Sequence, residues 1–242
     1  MTAYIPPIDQ PEGIYTVNVL RYDPEKDREP HWESYRIPWV KTMTAMEALE
    51  YLWDQGEYIA FRANCREFTC GSCAMLMNGK PGVACDTPLV DGMRIEPLSR
   101  YRVLKDLVVD TTPVKSKWKE LQLWPQNRDL ATYQVTPQQI DSYRHVYARC
   151  IECYSCLDAC PASDTEESEF AGPMWMLQIA RSGAHPMNGI NRPEQASKQG
   201  MWNCVNCYEC QDVCPVELSP VTEIQKLRGQ AVRGRFKKLL RL

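Results

Sequence analysis

"NCVNCYECQDVCP", residues 203–215, places four cysteines in thirteen residues, and its spacing governs how the second half of the chain is read. The same register occurs upstream in "RCIECYSCLDACP", residues 149–161. Cys150, Cys153, Cys156 and Cys160 match Cys204, Cys207, Cys210 and Cys214, while Tyr154, Asp158 and Pro161 match Tyr208, Asp212 and Pro215. A repeat whose identities are mostly cysteines implies one ligand scaffold used twice.

Both runs read C-x2-C-x2-C-x3-C-P. This is the two-cluster ferredoxin spacing, in which three thiolates of one run hold a cubane and the fourth crosses to the other cluster. Cys150, Cys153, Cys156 and Cys214 then form one 4Fe-4S ligand set, and Cys160, Cys204, Cys207 and Cys210 form another. Pro161 and Pro215 turn the chain away after the fourth ligand. A third group stands nearer the N-terminus: Cys65, Cys70 and Cys73 follow C-x4-C-x2-C, with Cys85 after eleven more residues. That is the plant-type arrangement for a 2Fe-2S cluster. Its loop, "CREFTCGSC", must curl around an anionic group, and Gly71 permits the backbone angles this requires. Structural zinc also uses cysteine pairs two residues apart, so three zinc sites are the competing ligand reading. Three cysteines spaced by two with a distant fourth fit a cubane better than paired zinc knuckles. Twelve cysteines could also form disulfides, but clustered cysteines in a chain with no export signal point to metal ligation.

The 242 residues fit one large domain or two smaller ones. A net charge of −3 lacks the basic footprint of a nucleic-acid binder. The opening "MTAYIPPIDQPEG" has no basic and apolar signal pattern, and no apolar run reaches the ~18 residues that span a bilayer. A cytoplasmic location is expected, with any membrane attachment made through a partner or an amphipathic surface.

Residues 13–22 alternate Val17 and Val19 with Thr16 and Asn18, the period of a half-buried strand. Residues 31–40 pair with them across "DPEKDREP" as a hairpin. Thr44 and Glu47 form a capping-box pattern for a helix at 44–55, which Gly56 ends. Asn78-Gly79 marks another hairpin turn, and "GMRIEP" supplies a further strand. From 111 to 130 the sequence reads as a polar connection. Thr136, Pro137 and Gln139 start a helix running into Cys150; Pro173 opens a second that Gly183 ends; Ser219-Pro220 opens a third. The expected fold class is α+β, with a 2Fe-2S domain at 1–112 and a mainly helical two-cluster domain at 113–242. The C-terminal stretch 226–242 has seven Lys or Arg and no acid. It reads either as a docking element for an anionic membrane or acidic partner, or as a solvated helix end.

His31, His145 and His185 lie in unrelated contexts, and no Gly-rich nucleotide fingerprint is present. No catalytic constellation accompanies the cysteines, which describes an electron relay between other proteins.

These motifs resemble those of a known family, the iron-sulfur subunit of succinate dehydrogenase and fumarate reductase, respiratory complex II. "FRANCREFTCGSCAMLMNGKPGVAC" (61–85) is similar to its 2Fe-2S loop, and the likeness continues through "RCIECYSCLDACP", "FAGPMWML" and 202–215. The resemblance implies a β-grasp ferredoxin-like domain followed by an α-helical ferredoxin domain. It also implies an FAD-containing flavoprotein subunit that interconverts succinate and fumarate, and a membrane anchor where quinone reacts. The chain would be peripheral, at the cytoplasmic face of the cell membrane, and would carry no catalytic residue of its own.

Cys207 departs from the family pattern, where an aliphatic residue leaves three ligands for a 3Fe-4S cluster. A fourth thiolate here predicts a third cluster of the 4Fe-4S type, with 3Fe-4S if Cys207 is not a ligand. Its altered type and charge should lower the potential and favour menaquinone or a non-quinone donor. The tryptophans and histidine that many members place near quinone are replaced by "ASDTEE" (162–167) and Val205, although Trp202 is present. The leading expectation is the electron-transfer subunit of a succinate:quinone or quinol:fumarate oxidoreductase. The alternatives are a soluble or thiol-dependent fumarate reductase and, remotely, a non-redox zinc module.

Overall fold

The structure is a computed structural model that describes residues 11–126, 136–143, 148–163 and 169–240. Two compact units form, one of Met1–Thr111 with Ile151–Asp158 and the other of Thr112–Cys150 with Ala159–Leu242. Most of the first cysteine run therefore packs with the N-terminal unit.

In the first unit β1 (Gly13–Arg21) and β2 (His31–Trp39) form the expected antiparallel hairpin. The capping box opens α1 (Ala45–Asp54), where the Thr44 side chain accepts from the Glu47 N–H and the Glu47 side chain accepts from the Thr44 N–H. Then come β3 (Ala74–Met77), β4 (Lys80–Val83) and β5 (Met93–Glu96), in a five-stranded sheet ordered β2-β1-β5-β3-β4. Only the β1/β5 pair is parallel. A hairpin plus a strand returning parallel to its first member, with one helix across a face, is a β-grasp arrangement. Asn78 (φ 52°) and Gly79 (φ 75°) make the β3–β4 turn, whose left-handed angles match strand twist. Asn78 Oδ1 pins it to β5 by accepting from the Arg94 N–H at 2.8 Å.

Val17, Val19, Ile37, Met46, Leu49, Ile59, Met75 and Ile95 fill the core between sheet and helix. Each such side chain contributes roughly 1.5–3 kcal/mol when buried. The strand alternation of Val17 and Val19 and the helical spacing of Met46 and Leu49 converge here, so local pattern and global packing agree.

A small ribbon, β6 (Val103–Lys105) and β7 (Val108–Val109), completes this unit and had no clear sequence signal. Its turn residue Asp106 is buried and accepts from Arg21 Nε at 3.0 Å, the Tyr22 N–H at 3.1 Å and the Ala60 N–H at 2.8 Å. A carboxylate so deep requires this many donors.

The second unit is helical. The polar connection expected from 111 holds a helix, α2 (Thr112–Glu120), because "VKSKWKE" carries helix-forming residues without an interrupting Gly or Pro. The 127–130 end of that connection lies outside the described residues. α3 (Pro137–Ser142) starts where Thr136 and Pro137 indicate but does not run into Cys150, since Ala148 and Arg149 lie in a turn. α4 (Ser155–Asp158) sits inside the first cysteine run and belongs to the first unit. α5 (Pro173–Ala184) is buried on nearly all sides, including Met174, Trp175, Met176 and Ile179. α6 (Arg192–Lys198), short α7 (Glu209–Asp212) and α8 (Pro220–Leu239) follow. α5 packs against α6 and α8. Trp118 of α2 meets Trp175 edge to face at 5.8 Å. Arg192, 2% exposed, donates to the Leu121 and Gln122 carbonyls and closes the end of α2.

Asp106→Ala should lower unfolding free energy by about 2–3 kcal/mol, less than a fully buried pair because Arg21 keeps Glu33 at 2.9 Å. Urea denaturation of the purified protein checks this. An unchanged midpoint would mean that relief of desolvation cancels the lost bonds.

Candidate metal centres

The first cysteine loop turns back on itself through left-handed residues, Arg66 (φ 58°), Phe68 (φ 57°) and Gly71 (φ 66°). The consequence is chemical: the N–H groups of Glu67, Thr69 and Cys70 all donate to Cys65 Sγ, at 3.4, 3.3 and 3.3 Å. Such a concave set of backbone donors favours a thiolate and any anionic cluster it binds. Ser72 Oγ lies 3.0 Å from Cys70 Sγ. Burial works against the Cys70 thiolate, but hydrogen bonds from Ser72 and Cys65 outweigh it and bring the thiol down to about 6. Cys73 lies deeper, and burial pushes it up to about 12, with Cys85 adding to the rise. Cys65 with Cys70 and Cys73 with Cys85 thus form two neighbouring pairs. Arg66 is tied to the buried Glu50 of α1, which holds the loop against the core.

Gly71 has a second role. A Cβ there would stand 2.4 Å from the Ile151 carbonyl oxygen and 3.0 Å from the Cys153 backbone nitrogen. The glycine lets the loop touch the start of the first cysteine run.

The two runs have the same backbone as well as the same spacing. Glu152 (φ 53°) and Tyr154 (φ 68°) flank Cys153, and Asn206 (φ 56°) and Tyr208 (φ 68°) flank Cys207. A four-residue helix follows each, α4 and α7. The Leu157 and Asp158 N–H groups donate to the Tyr154 carbonyl, as those of Gln211 and Asp212 do to Tyr208. Left-handed angles at Glu, Asn and two Tyr carry a cost, so their recurrence marks a shape that the group held by the thiols must need.

Cys160, Cys204, Cys207 and Cys210 come together in the second unit. Burial pushes Cys210 up to about 12; Cys160, Cys204 and Cys207 act in the same direction, and a hydrogen bond from the Val221 N–H opposes them. Val221 lies in the first turn of α8, so the positive end of a 20-residue helix faces these thiols. Arg228, also on α8, donates to the Met201, Trp202 and Cys204 carbonyls at 2.7, 3.1 and 2.7 Å. Read in sequence, Arg228 belonged to a cationic tail; only the helix path reveals it as a clamp on the cysteine run. Cys207 is the one exposed cysteine of the twelve. Of the other set, Cys153 and Cys156 lie in the first unit, and Cys150 and Cys214 in the second. Cys214 Sγ accepts from the Leu218 N–H at 3.3 Å.

None of the twelve cysteines forms a disulfide. Among the described residues, no three His, Cys, Asp or Glu side chains stand close enough to hold a single metal ion. His31 pairs with Glu33 at 3.2 Å and His185 packs edge to face on Tyr143, both apart from the thiols; His145 lies outside the described residues.

Comparison with known proteins agrees with this chemistry. Residues 16–116 match the model of a 2Fe-2S iron-sulfur cluster binding domain, and residues 147–218 that of a 4Fe-4S dicluster domain. The fumarate reductase iron-sulfur subunit of Haemophilus influenzae is 31% identical, over 91% of this chain and 94% of its own length. The chain belongs to the iron-sulfur subunit family of fumarate reductase and succinate dehydrogenase. A Methanothermobacter marburgensis protein, one of the subunits of a fumarate reductase (CoM/CoB), is 36% identical over 91% of this chain. The chain spans only 45% of that relative. A chain of the Mycobacterium smegmatis Sdh1 complex in the apo form shares the fold, with a TM-score of 0.80 at 24% identity, over 92% of this chain and 97% of its own. Membership sets aside the zinc-module alternative: this is an α+β iron-sulfur chain, with a mixed-sheet 2Fe-2S domain followed by a helical 4Fe-4S domain.

Gly71→Ala should cost about 2 kcal/mol or more, from its left-handed angle and the clash with the Ile151 carbonyl. Thermal unfolding and iron content per protein test this, with both expected to fall together. Full iron retention would show that the loop relaxes freely.

Proposed function

We propose that the chain relays electrons through three clusters: 2Fe-2S on Cys65, Cys70, Cys73 and Cys85; 4Fe-4S on Cys150, Cys153, Cys156 and Cys214; and a second 4Fe-4S on Cys160, Cys204, Cys207 and Cys210. The observation that carries this reading is the shared backbone frame of Cys153 and Cys207. An iron-sulfur cluster, when bound, supplies reversible single-electron transfer at a potential set by charge, hydrogen bonds and exposure. The chain's part is to hold each set of thiolates and to aim N–H donors at them, which favours the reduced, more negative state. Cys65 has three such donors, and Cys210 has the start of α8.

In this proposal, residues 1–112 take electrons to or from an FAD-containing flavoprotein subunit where succinate and fumarate interconvert. Residues 113–242 exchange them with a membrane anchor and a quinone, menaquinone being favoured by the four-thiolate third site. The exposure of Cys207, Val205 and Tyr208 leaves that end of the relay accessible to a partner. Peripheral attachment to a membrane, for which the cytoplasmic face is proposed, draws its support from the distal half of α8. There Val232, Phe236 and Leu239 are exposed along one face and are surrounded by Arg233, Arg235, Lys237 and Lys238. No helix among the described residues is long and apolar enough to cross a membrane.

The methanogen relative favours a second reading, a thiol-dependent fumarate reductase in which the third cluster meets a non-quinone partner. Co-purification with an integral membrane subunit and sensitivity to quinone analogues support the first reading. Their absence, with reduction by low-molecular-mass thiols, supports the second.

Low-temperature electron paramagnetic resonance of the anaerobically purified complex tests the cluster assignment. The oxidised protein is expected to lack a 3Fe-4S signal, reduction should reveal two interacting 4Fe-4S centres, and Cys207→Val should convert the third centre to 3Fe-4S. A stoichiometric 3Fe-4S signal in the unaltered protein would make Cys207 a spectator.

A further inference from the structure

Tyr101 occupies an unusual place in the first unit. Its ring packs with Leu76, Leu98 and Val109, and lies 6.4 Å from that of Tyr154, the residue directly after Cys153. Its hydroxyl is buried and has no hydrogen-bond partner. A buried, unpaired phenol costs about 1–3 kcal/mol, and a phenylalanine would have filled the same apolar space without that cost. Asp158, Cys156, Tyr154 and Cys153 act on this hydroxyl electrostatically. The Asp158 carboxylate already accepts from Ser99 Oγ at 3.3 Å and from the Arg100 N–H at 3.1 Å.

Cys153 and Cys156 belong to the same unit as Tyr101, so a cluster held by them would offer sulfur acceptors to this hydroxyl. We propose that Tyr101 is a potential-tuning residue, whose hydroxyl donates a hydrogen bond to a sulfur of the cluster ligated by Cys153 and Cys156. A phenol is protonated at neutral pH and burial disfavours its anion further, so the group keeps its proton and remains a donor. Reduction adds one electron to the cluster, no bond breaks, and the phenol proton stays on oxygen. The extra negative charge strengthens the hydrogen bond, so Tyr101 raises the potential of this centre. Nothing in the cysteine spacing marks the residue, because it lies 52 positions before Cys153 in sequence (101 against 153).

The inference rests on the assignment of a 4Fe-4S cluster to Cys150, Cys153, Cys156 and Cys214. Tyr101→Phe removes only the hydroxyl, and Tyr101→Met gives a second apolar replacement that packs by flexing. In the intact complex, a redox titration followed by electron paramagnetic resonance reads each centre separately. The expected result is a fall of about tenfold in the reduced-to-oxidised ratio of this one centre at fixed ambient potential, about 59 mV for one electron. The 2Fe-2S and third centres should not move. Electron-nuclear double resonance after exchange into D2O should show one exchangeable proton coupling in the unaltered protein that both variants lack. If the unaltered complex shows this 4Fe-4S centre and neither variant shifts it, the tuning role is overturned while the cluster assignment stands. If the unaltered complex lacks the centre, the assignment itself fails, and the role of Tyr101 falls with it.

Discussion

Thiolates brought together in a protein repel one another and lose hydration, and every other feature of this fold answers to that constraint. At several of the described thiols the chain meets it with backbone N–H groups. Left-handed residues at 66, 68 and 71 turn three N–H groups onto Cys65. The angles at Glu152 and Tyr154 are repeated at Asn206 and Tyr208 around the other two runs. The start of α8 meets Cys210 with a further N–H group. Each arrangement spends conformational energy locally, so it needs a rigid surround.

That surround differs between the two units. In the first, a sheet-and-helix core holds the loop from behind, with Arg66 bound to Glu50 and Gly71 against Ile151. Asp106 ties β1, the 60-region loop and the β6–β7 turn into one piece. In the second, α8 supplies both the helix terminus and the Arg228 clamp, and buried α5 is the post on which α8 packs. The elements that aim hydrogen bonds at the thiols are therefore also the ones that hold the cysteine runs in place. Loss of a support should be read in the spectrum of a cluster as well as in stability.

Much of this was legible in the order of residues alone. The hairpin, the Thr44 capping box, the Asn78-Gly79 turn and the helix openings at Pro137, Pro173 and Pro220 all depend on near neighbours, and all appear in the structure. The α+β class followed from strand alternation and helix-opening signals, the iron-sulfur reading from cysteine spacing that few other ligands share, and the family from the likeness of whole stretches such as 61–85. What local reading passed over was α2, whose polar composition resembles a linker, and the β6–β7 ribbon, whose strands are too short to show a period.

The sequence by itself determined which residues are able to ligate, that two runs repeat one scaffold, and that Cys207 stands in the second run where Cys153 stands in the first, because these are properties of residue type and spacing. Tertiary structure alone decided that most of the first run packs with the N-terminal unit, that Arg228 grips the second run, and that the Tyr101 hydroxyl is buried near Cys153 and Cys156 without a partner. The physical reason is one of range. Spacing acts over one turn of chain, whereas burial and hydrogen-bond satisfaction depend on segments that meet only when the chain has folded.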